Sequence, residues 1–288
     1  MPELPEVETV RRTLKKVIVN RFVRKARVLE KKIIHQESLP IKSVSKKRIV
    51  AIHRRAKLLI LDLSGGYSLV IHLKMTGQLI YQSAFGGVAI GGHPIEGGAV
   101  GLPNKFTRVI LELNKGDKLY FNDIRKFGYF RLLMTHKLPE MFNRLKLGPE
   151  PLDNKVTFRR FQKMLKKRPR SQIKNILLDQ SVISGLGNIY ADEVNYQAGI
   201  KPTRRAKSLK VSEQKKIFQA IPDILRLAIK KRGTTIQDYR DSFGQPGGMQ
   251  KYLKVYQRTG QPCFRCGHVI IRKKIGSRSA HYCKHCQK

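Results

Sequence analysis

The chain has 288 residues, with 59 Lys and Arg against 20 Asp and Glu, a net charge of +39. Hydrophobic residues make up 41%, enough for packed cores, which excludes a wholly disordered chain. No apolar run reaches the roughly 18 residues that a membrane-spanning helix needs. The length implies two domains and a small appendage. The positive surplus repels itself unless a polyanion neutralises it, so nucleic acid is the expected partner. An anionic membrane is the rival, but no segment reads as a basic amphipathic helix with an aromatic apolar face. The opening, Met1-Pro2-Glu3-Leu4-Pro5-Glu6, is acidic and proline-broken where a signal peptide is basic and then apolar. A cytoplasmic protein is therefore expected.

In chain order, Val7, Val10, Leu14 and Val17 share one face at helical spacing, and Pro5 suits a first helical turn. After Arg21 the pattern becomes that of strands, at 22–29, 48–53, 58–63 and 68–73, with Ser64-Gly65-Gly66-Tyr67 as a hairpin turn between the last two. The segment 86–101 holds seven glycines and reads as a mobile loop. Val109, Leu111 and Leu113 alternate on a strand at 107–113, and Asn114-Lys115-Gly116-Asp117 turns it into a strand at 118–122. This is a β-rich unit with a leading helix, a sandwich or flattened barrel ending near Thr135. Pro139, Gly148, Pro149 and Pro151 punctuate a linker. Helices are expected at 158–167, 172–178, 189–198 and 212–231, the last capped by Ser212. The fold class is α+β and multidomain: an N-terminal β-sandwich over 1–135, a helical domain over 136–245 and a cysteine module over 246–288.

All four cysteines lie in that last module, as Cys263-x2-Cys266 and Cys283-x2-Cys286. Four thiolates in two such pairs close a tetrahedron around one structural zinc ion and leave no open position for a substrate. Two disulfides are the alternative, disfavoured in an intracellular chain with no other cysteine. His268, His281 and His285 are further potential ligands, though four cysteines suffice. Residues 242–288 contain ten Lys or Arg and no Asp or Glu. Lys273, Lys274 and Arg278 fall between the cysteine pairs, where a β-hairpin would present them to phosphates.

The chemistry-bearing residues begin at Pro2. Initiator methionine is removed before small residues, which leaves a free secondary amine. An amine flanked by Glu3 and Glu6 can serve as a nucleophile with its own acid/base groups. Glu6 also sits where its charge favours the helix dipole, which alone accounts for it.

From Met1 to Arg12 the chain resembles the opening of the bacterial formamidopyrimidine-DNA glycosylase family. The likeness continues through Arg54-Arg55-Ala56-Lys57, His72-Leu73-Lys74-Met75-Thr76-Gly77, Asp123-Ile124-Arg125-Lys126-Phe127-Gly128, the run from Gly185 to Glu193, and the cysteine hairpin. Six motifs in the right order make it specific. The resemblance implies a helix-two-turn-helix element in the helical domain, a zinc-finger hairpin, and double-stranded DNA with a damaged base held by a monomer in a basic cleft between the two halves. It implies excision of a flipped-out oxidised purine, attack by the Pro2 nitrogen on C1′, and strand cleavage by β- and then δ-elimination. Residue by residue, Pro2 is the nucleophile, Glu3 the general acid/base and Glu6 the group that orients the terminus. Lys57 matches the β-elimination lysine, and Arg278 the arginine of δ-elimination that also grips the lesion's phosphates. Met75, Arg125 and Phe127 match the trio that fills the gap left by the flipped base. Lys174 and Asn188 match phosphate-binding residues, and Arg170 a further basic DNA contact.

Two departures stand out. Phe106, in Lys105-Phe106-Thr107-Arg108, occupies a position where many members carry a DNA-contacting histidine, and the 86–101 stretch is an insertion relative to shorter members. The segment from Arg232 to Gly248 resembles the family's flexible lesion-covering loop. The endonuclease VIII branch, which prefers oxidised pyrimidines, opens Pro-Glu-Gly-Pro-Glu, so Leu4 favours the purine branch. A non-enzymatic zinc-ribbon regulator would explain the charge and the cysteines but leaves Pro2, Glu3 and Lys57 without roles.

Overall fold

The structure is a computed structural model that describes residues 1–92, 97–154, 156–234 and 248–288. The chain forms two compact units, one of residues 1–144 with 231–250, the other of residues 145–230 with 251–288.

The first unit opens on α1 (Leu4–Ile18) and then builds two antiparallel sheets. One has the strand order β1 (Val23–Val28), β7 (Thr107–Leu113), β8 (Lys118–Asp123), β5 (Gly77–Gln82), β6 (Val88–Gly92). The other has the order β2 (Ile49–Arg55), β3 (Leu58–Leu63), β4 (Tyr67–His72), β9 (Tyr129–Met134). The two inner faces share one core. Val109, Leu111, Leu113 and Phe121 come from the first sheet, Leu59, Leu61, Leu63 and Phe130 from the second, and Val7, Val10, Leu14 and Ile18 from α1. Phe121 and Phe130 meet edge to face at 5.0 Å. This is the expected sandwich. Strands β5 and β9 are additional to those read from local pattern.

The glycine-rich stretch is not simply a loop. Val88–Gly92 pairs with β5 from Gln82 to Gln78. Gly91 is required there, since a Cβ would come within 2.9 Å of Val10 Cγ2, so its absence lets β6 lie against α1. Beyond the undescribed residues 93–96, Ala99 and Leu102 pack over Ile80, Ile110 and Tyr120 on the outer face of the same sheet. Asn122 Nδ2 donates to Gly98 O at 2.6 Å.

The linker expected around Pro139 is partly helical, because Leu138–Arg144 forms α2 with Pro139 in its first turn, where no N–H is needed. Met141 of α2 is buried. Residues 138–144 therefore group with the first unit and not with the helical part, as do 231–234. Most of the expected lesion-covering loop, 235–247, lies outside the described residues.

The second unit comprises α3 (Phe158–Lys166), α4 (Ile173–Leu178), α5 (Asn188–Ala198), α6 (Val211–Lys230) and a hairpin of β10 (Ile270–Ile275) with β11 (Arg278–Cys283). Ser212 is not the cap of α6. The helix starts one residue earlier, and Glu213 reaches back to accept the Lys210 N–H at 2.8 Å. Among the described residues, no helix is long and apolar enough to cross a membrane.

Candidate active site and nucleic-acid interface

Glu3 and Glu6 are reciprocal caps of α1. The Glu3 N–H donates to Glu6 Oε2 at 2.9 Å, and the Glu3 carboxylate accepts the Glu6 N–H. Pro2 is buried, and Glu3 is 2% exposed. The second Glu6 oxygen accepts the Thr234 N–H at 2.8 Å and the Thr234 hydroxyl at 3.2 Å. Gly233 has φ +78, and a Cβ there would fall 2.7 Å from Glu6 Oε1, so only glycine lets the chain approach this closely. Residues 231–234 and 248–249 run side by side through Gly248 N to Lys231 O, 2.8 Å, and Met249 N to Gly233 O, 3.1 Å. Glu6 thus ties the N-terminus to the neck of the 235–247 segment. Sequence reading missed Gly233 and Thr234 as its partners, since the two ends lie 228 positions apart.

Lys57 is buried in the two-residue turn between β2 and β3, after Ala56 at φ +53. The turn is fastened to α1 by Arg54, whose Nη1 donates to Ala56 O at 3.0 Å and whose Nε donates to Glu8 Oε2 at 3.3 Å. Glu8 also accepts from Arg11 and Arg12. Burial alone would raise the Glu8 carboxyl. The hydrogen bonds from Arg11 and Arg12 and the charges of Arg11 and Arg54 outweigh it and hold the group down at about 2. This stabilisation is complete above the ordinary carboxylate range and is lost as the pH falls toward that value. Glu8→Gln is expected to lose about 2 kcal/mol of stability at neutral pH, a figure reduced for partial solvent screening. Urea unfolding of both proteins, repeated as the medium is acidified, should show the gap closing. His72, next to this turn in β4, is pulled down to about 3 by burial and by the charges of Lys74 and Lys57. It is therefore neutral at physiological pH, with Nδ1 accepting the Lys74 N–H at 2.9 Å.

Met75, Arg125 and Phe127 come together although they lie in two different loops. Arg125 Nη1 donates to Met75 Sδ at 3.3 Å, and its guanidinium stacks 4.7 Å from the centre of the Phe127 ring. Asp123, fully buried, organises both loops: it accepts from the Thr76 hydroxyl, from Arg125 N at 3.2 Å and from Gly128 N at 2.7 Å. Gly77 and Gly128 are close-approach positions, since a Cβ would meet Leu73 O at 2.4 Å or Phe121 Cζ at 2.6 Å. Phe127 is 49% exposed, which is unusual for a rigid aromatic on a well-anchored loop and suits a wedge. Beside it lies a shallow cavity of 610 Å³ whose lining includes Lys32, Lys74 and Lys126.

In the second unit, α4 and α5 are joined by two tight turns. Gln180 spans them, donating to Leu178 O at 3.0 Å and Leu186 O at 2.8 Å and accepting the Gly185 N–H at 2.9 Å. This places Asn188 at the first position of α5, with a buried Oδ1 that finds no partner among the described residues. The free N–H groups of a helix N-terminus suit an anion; the Asn188 Oδ1, an acceptor, does not add to that. Arg170 is exposed in the loop after α3. Lys174 is placed differently from expectation. It is fully buried, with Nζ 2.5 Å from Asp192 Oδ1 and 2.6 Å from Ser279 O. The reason is Asp192, a buried carboxylate that needs a cation, and it turns this lysine inward. Asp192 also accepts from His281, at the backbone N (2.9 Å) and at Nδ1 (3.1 Å), which takes His281 out of the metal site. Its neighbour Glu193 accepts the N–H groups of Lys254, Val255 and Tyr256 at 2.9, 3.0 and 2.9 Å. Asp192 and Glu193 are thus the internal brace of this unit, a role that sequence reading did not assign.

The four cysteine sulfurs lie within 4.8 Å of one another, with Cys263–Cys286 at 3.8 Å and Cys266–Cys283 at 3.6 Å. A tetrahedral zinc with bonds of about 2.3 Å has sulfur–sulfur edges of about 3.8 Å, so the set fits the ion. Backbone N–H groups of Arg265 and Cys286 point at Cys263 Sγ and Cys283 Sγ, both at 3.4 Å, as stabilised thiolates require. Arg278 is exposed at the start of β11, with Lys273 and Lys274 exposed on β10.

Known proteins share this arrangement. Residues 1–130 match the formamidopyrimidine-DNA glycosylase N-terminal domain, 147–240 its H2TH (helix-two-turn-helix) domain, and 260–288 the zinc finger found in this family and in IleRS. The chain is 42% identical to the formamidopyrimidine-DNA glycosylase of Pelotomaculum thermopropionicum over all of this chain and 99% of that one. It is also 42% identical to that of Carboxydothermus hydrogenoformans over the full length of both. Among solved structures, it resembles the Lactococcus lactis enzyme in complex with Fapy-dG containing DNA at a TM-score of 0.88 and 33% identity, over the whole of both chains. The same enzyme with abasic-site DNA matches at a TM-score of 0.87 and 33% identity over 99% of each chain. The terminal capping pair, the Met75–Arg125–Phe127 cluster, the α4–α5 turns and the four-cysteine hairpin stand in one chain that belongs to the formamidopyrimidine-DNA glycosylase family.

Proposed function

We propose that this chain is a bifunctional DNA glycosylase and abasic-site lyase of base excision repair that acts on oxidised purines, 8-oxoguanine and formamidopyrimidines, in double-stranded DNA. The observation that carries the reading is the enclosed N-terminus, where Pro2 adjoins Glu3 and where Glu6 bridges to Gly233-Thr234. Removal of Met1 makes the Pro2 nitrogen a secondary amine. It attacks C1′ of the damaged nucleoside and the C1′–base bond breaks; the C1′–O4′ bond then opens as O4′ takes a proton, with Glu3 as the acid/base group, and C1′ becomes doubly bonded to the Pro2 nitrogen. The resulting iminium has no N–H to lose, so it stays an electron sink and acidifies C2′. Loss of a C2′ proton, with Lys57 as the assisting base, breaks the C3′–O bond. A second elimination, assisted by Arg278, breaks the C5′–O bond and leaves phosphate ends.

Met75, Arg125 and Phe127 fill the space of the flipped nucleotide, and the Arg125 guanidinium donates to the orphaned partner base. Arg170 and Asn188 contact phosphates. One zinc ion, held by Cys263, Cys266, Cys283 and Cys286, supplies a structural cross-link that the short hairpin lacks on its own.

Borohydride with an abasic duplex is expected to trap a covalent adduct at the N-terminal peptide, and none when Met1 is retained. An adduct on a lysine of the Met1-retaining protein would overturn the assignment. In a panel of duplexes, 8-oxoguanine and formamidopyrimidine should be cut faster than thymine glycol. The pyrimidine arm matters because the Lactococcus lactis relative has also been solved with an oxidized pyrimidine containing DNA.

A further inference from the structure

Strands β5 and β8 run from Gly77 and Asp123, beside the Met75 and Arg125 loops, to Gln82 and Lys118. Five steps of about 3.4 Å put about 17 Å between these two ends of the sheet. The far end is built from the turns at 19–22, 45–48, 83–87 and 114–117, which touch one another. Phe22 pairs with Arg48, and its N–H donates to Asn114 Oδ1 at 3.1 Å. Gly116 approaches Ala84 so closely that a Cβ on it would lie 3.0 Å from the alanine's. Asp117, buried beneath, fixes the β5–β6 turn. It accepts from the Tyr81 hydroxyl at 2.6 Å and from the Ala84 N–H at 3.1 Å, and Arg21 Nη2 lies 3.0 Å from it.

Among the described residues four phenylalanines are exposed, and two of them stand at this end. Phe127 is the wedge, and Phe264 faces Arg258, whose guanidinium lies 3.6 Å from the ring centre. The other two are Phe22, 46% exposed, and Phe85, 89% exposed at the tip of the braced turn. Lys46, Arg48, Lys115 and Lys118 are exposed on the same turns. The acids of these turns do not offset them: Asp117 is internal, and Glu112, opposite Lys118, pairs with Arg27 at 3.6 Å.

We propose that this end of the sandwich binds single-stranded nucleic acid, as a second site that can be filled while a lesion duplex lies against the wedge loops. The inference rests on the repair reading only for which end meets the duplex. Cations alone suit any polyanion. Exposed rings set among cations suit unpaired bases, because a base can stack on each ring while the phosphates meet Lys or Arg. In a duplex the base faces are already covered by their neighbours. Because Asp117 holds the turn, Phe85 is presented with little ordering left to do on binding. Such a contact keeps the enzyme near unpaired strands while the wedge end meets duplex.

The test begins with full-length protein saturated with a duplex carrying an uncleavable tetrahydrofuran abasic analogue. A labelled oligothymidylate of about 12 nucleotides is then titrated in at one fixed salt concentration and followed by fluorescence anisotropy. The comparison is with a variant carrying Lys46→Asn, Arg48→Gln, Lys115→Asn and Lys118→Gln, and with Phe85→Ala alone. Asparagine is chosen at 46 and 115 because both positions have φ +62. The parent complex should bind the oligonucleotide without releasing the duplex. The fourfold variant should bind it at least tenfold more weakly, and Phe85→Ala roughly fivefold or more weakly, the low end for one lost stacked base. Both variants should keep the parent's affinity for the duplex, which also shows that they fold. Equal oligonucleotide affinity in parent and variants, or displacement of the duplex by the oligonucleotide, would overturn the second site. An undamaged duplex or an oligoglutamate that bound the loaded protein as tightly, with Phe85→Ala without effect, would mark a surface for any polyanion and overturn the single-strand assignment. Failure of the parent to bind the tetrahydrofuran duplex would count against the repair reading instead, and titration of the free proteins would still decide this surface.

Discussion

Glu3→Gln is expected to lose roughly 10²–10⁴-fold in 8-oxoguanine excision, the usual contribution of general acid–base assistance, while binding DNA no more weakly than the parent. The substitution is chosen for what it keeps. The Glu3 carboxylate caps α1 by accepting the Glu6 N–H, and a glutamine carbonyl oxygen can do the same. Alanine would remove the cap and cost about 1 kcal/mol, mixing stability with chemistry. Loss of a carboxylate that repels phosphate should, if anything, raise affinity. Cleavage of a preformed abasic site should fall less, because the base has already left and Pro2 needs only to condense with the open aldehyde. Lys57→Ala should give a different pattern, with elimination or lesion-specific excision impaired and duplex binding retained. Its turn should survive, because Arg54 holds the backbone carbonyl of Ala56 and not the lysine. Single-turnover cleavage of both substrates at one fixed salt concentration reads all of this. Excision at the parent rate by Glu3→Gln would remove the catalytic role given to Glu3 and strengthen the non-enzymatic reading.

Removing zinc, or changing Cys263→Ser, is expected to abolish duplex binding with the helical content largely intact. The apolar cluster behind the hairpin consists of Tyr196, Val255, Cys263, Ile270 and Cys283, so two of its five buried members belong to the proposed zinc site. Too little core remains to hold β10 and β11 once the cross-link is gone. The hairpin then scatters Arg272, Lys273, Lys274 and Arg278, all of them basic and in a segment without one acidic residue. The salt dependence of any residual binding should flatten by about one unit of slope for each phosphate that the hairpin ceases to neutralise. Helices α3 and α6 pack on each other through Phe158, Phe161 and Phe218, away from the hairpin, so far-UV circular dichroism should change little. Full affinity after chelation would show that the finger is a fold element only.

How much was legible beforehand depended on whether the signal was local. The charge, the cysteine spacing and the motif order are properties of the chain itself, and they lead to nucleic acid, zinc and the family before any coordinate is known. Helix α1 and strand β7 were readable from their periodicity, and β3 from an unbroken Leu/Ile run closed by the Ser64-Gly65-Gly66-Tyr67 turn. Strand β5 was not: it begins at Gly77 and is buried along almost its whole length, so no alternation marks it. Strand β6 hid among glycines whose use, close packing on Val10, shows only when α1 is in place.

The site divides in the same way. Residue types and spacing pointed to Pro2, Glu3 and the four cysteines as the chemistry to look for, and the family resemblance added Lys57. Only the tertiary structure decided that Glu6 holds the 231–234 neck, that Asp123 draws Met75 and Arg125 together, and that Asp192 turns Lys174 inward. Each of these is a buried carboxylate choosing its partner. A carboxylate removed from water must be satisfied by whatever donors packing brings within reach, and that neighbourhood is a property of the assembled core, not of the surrounding sequence.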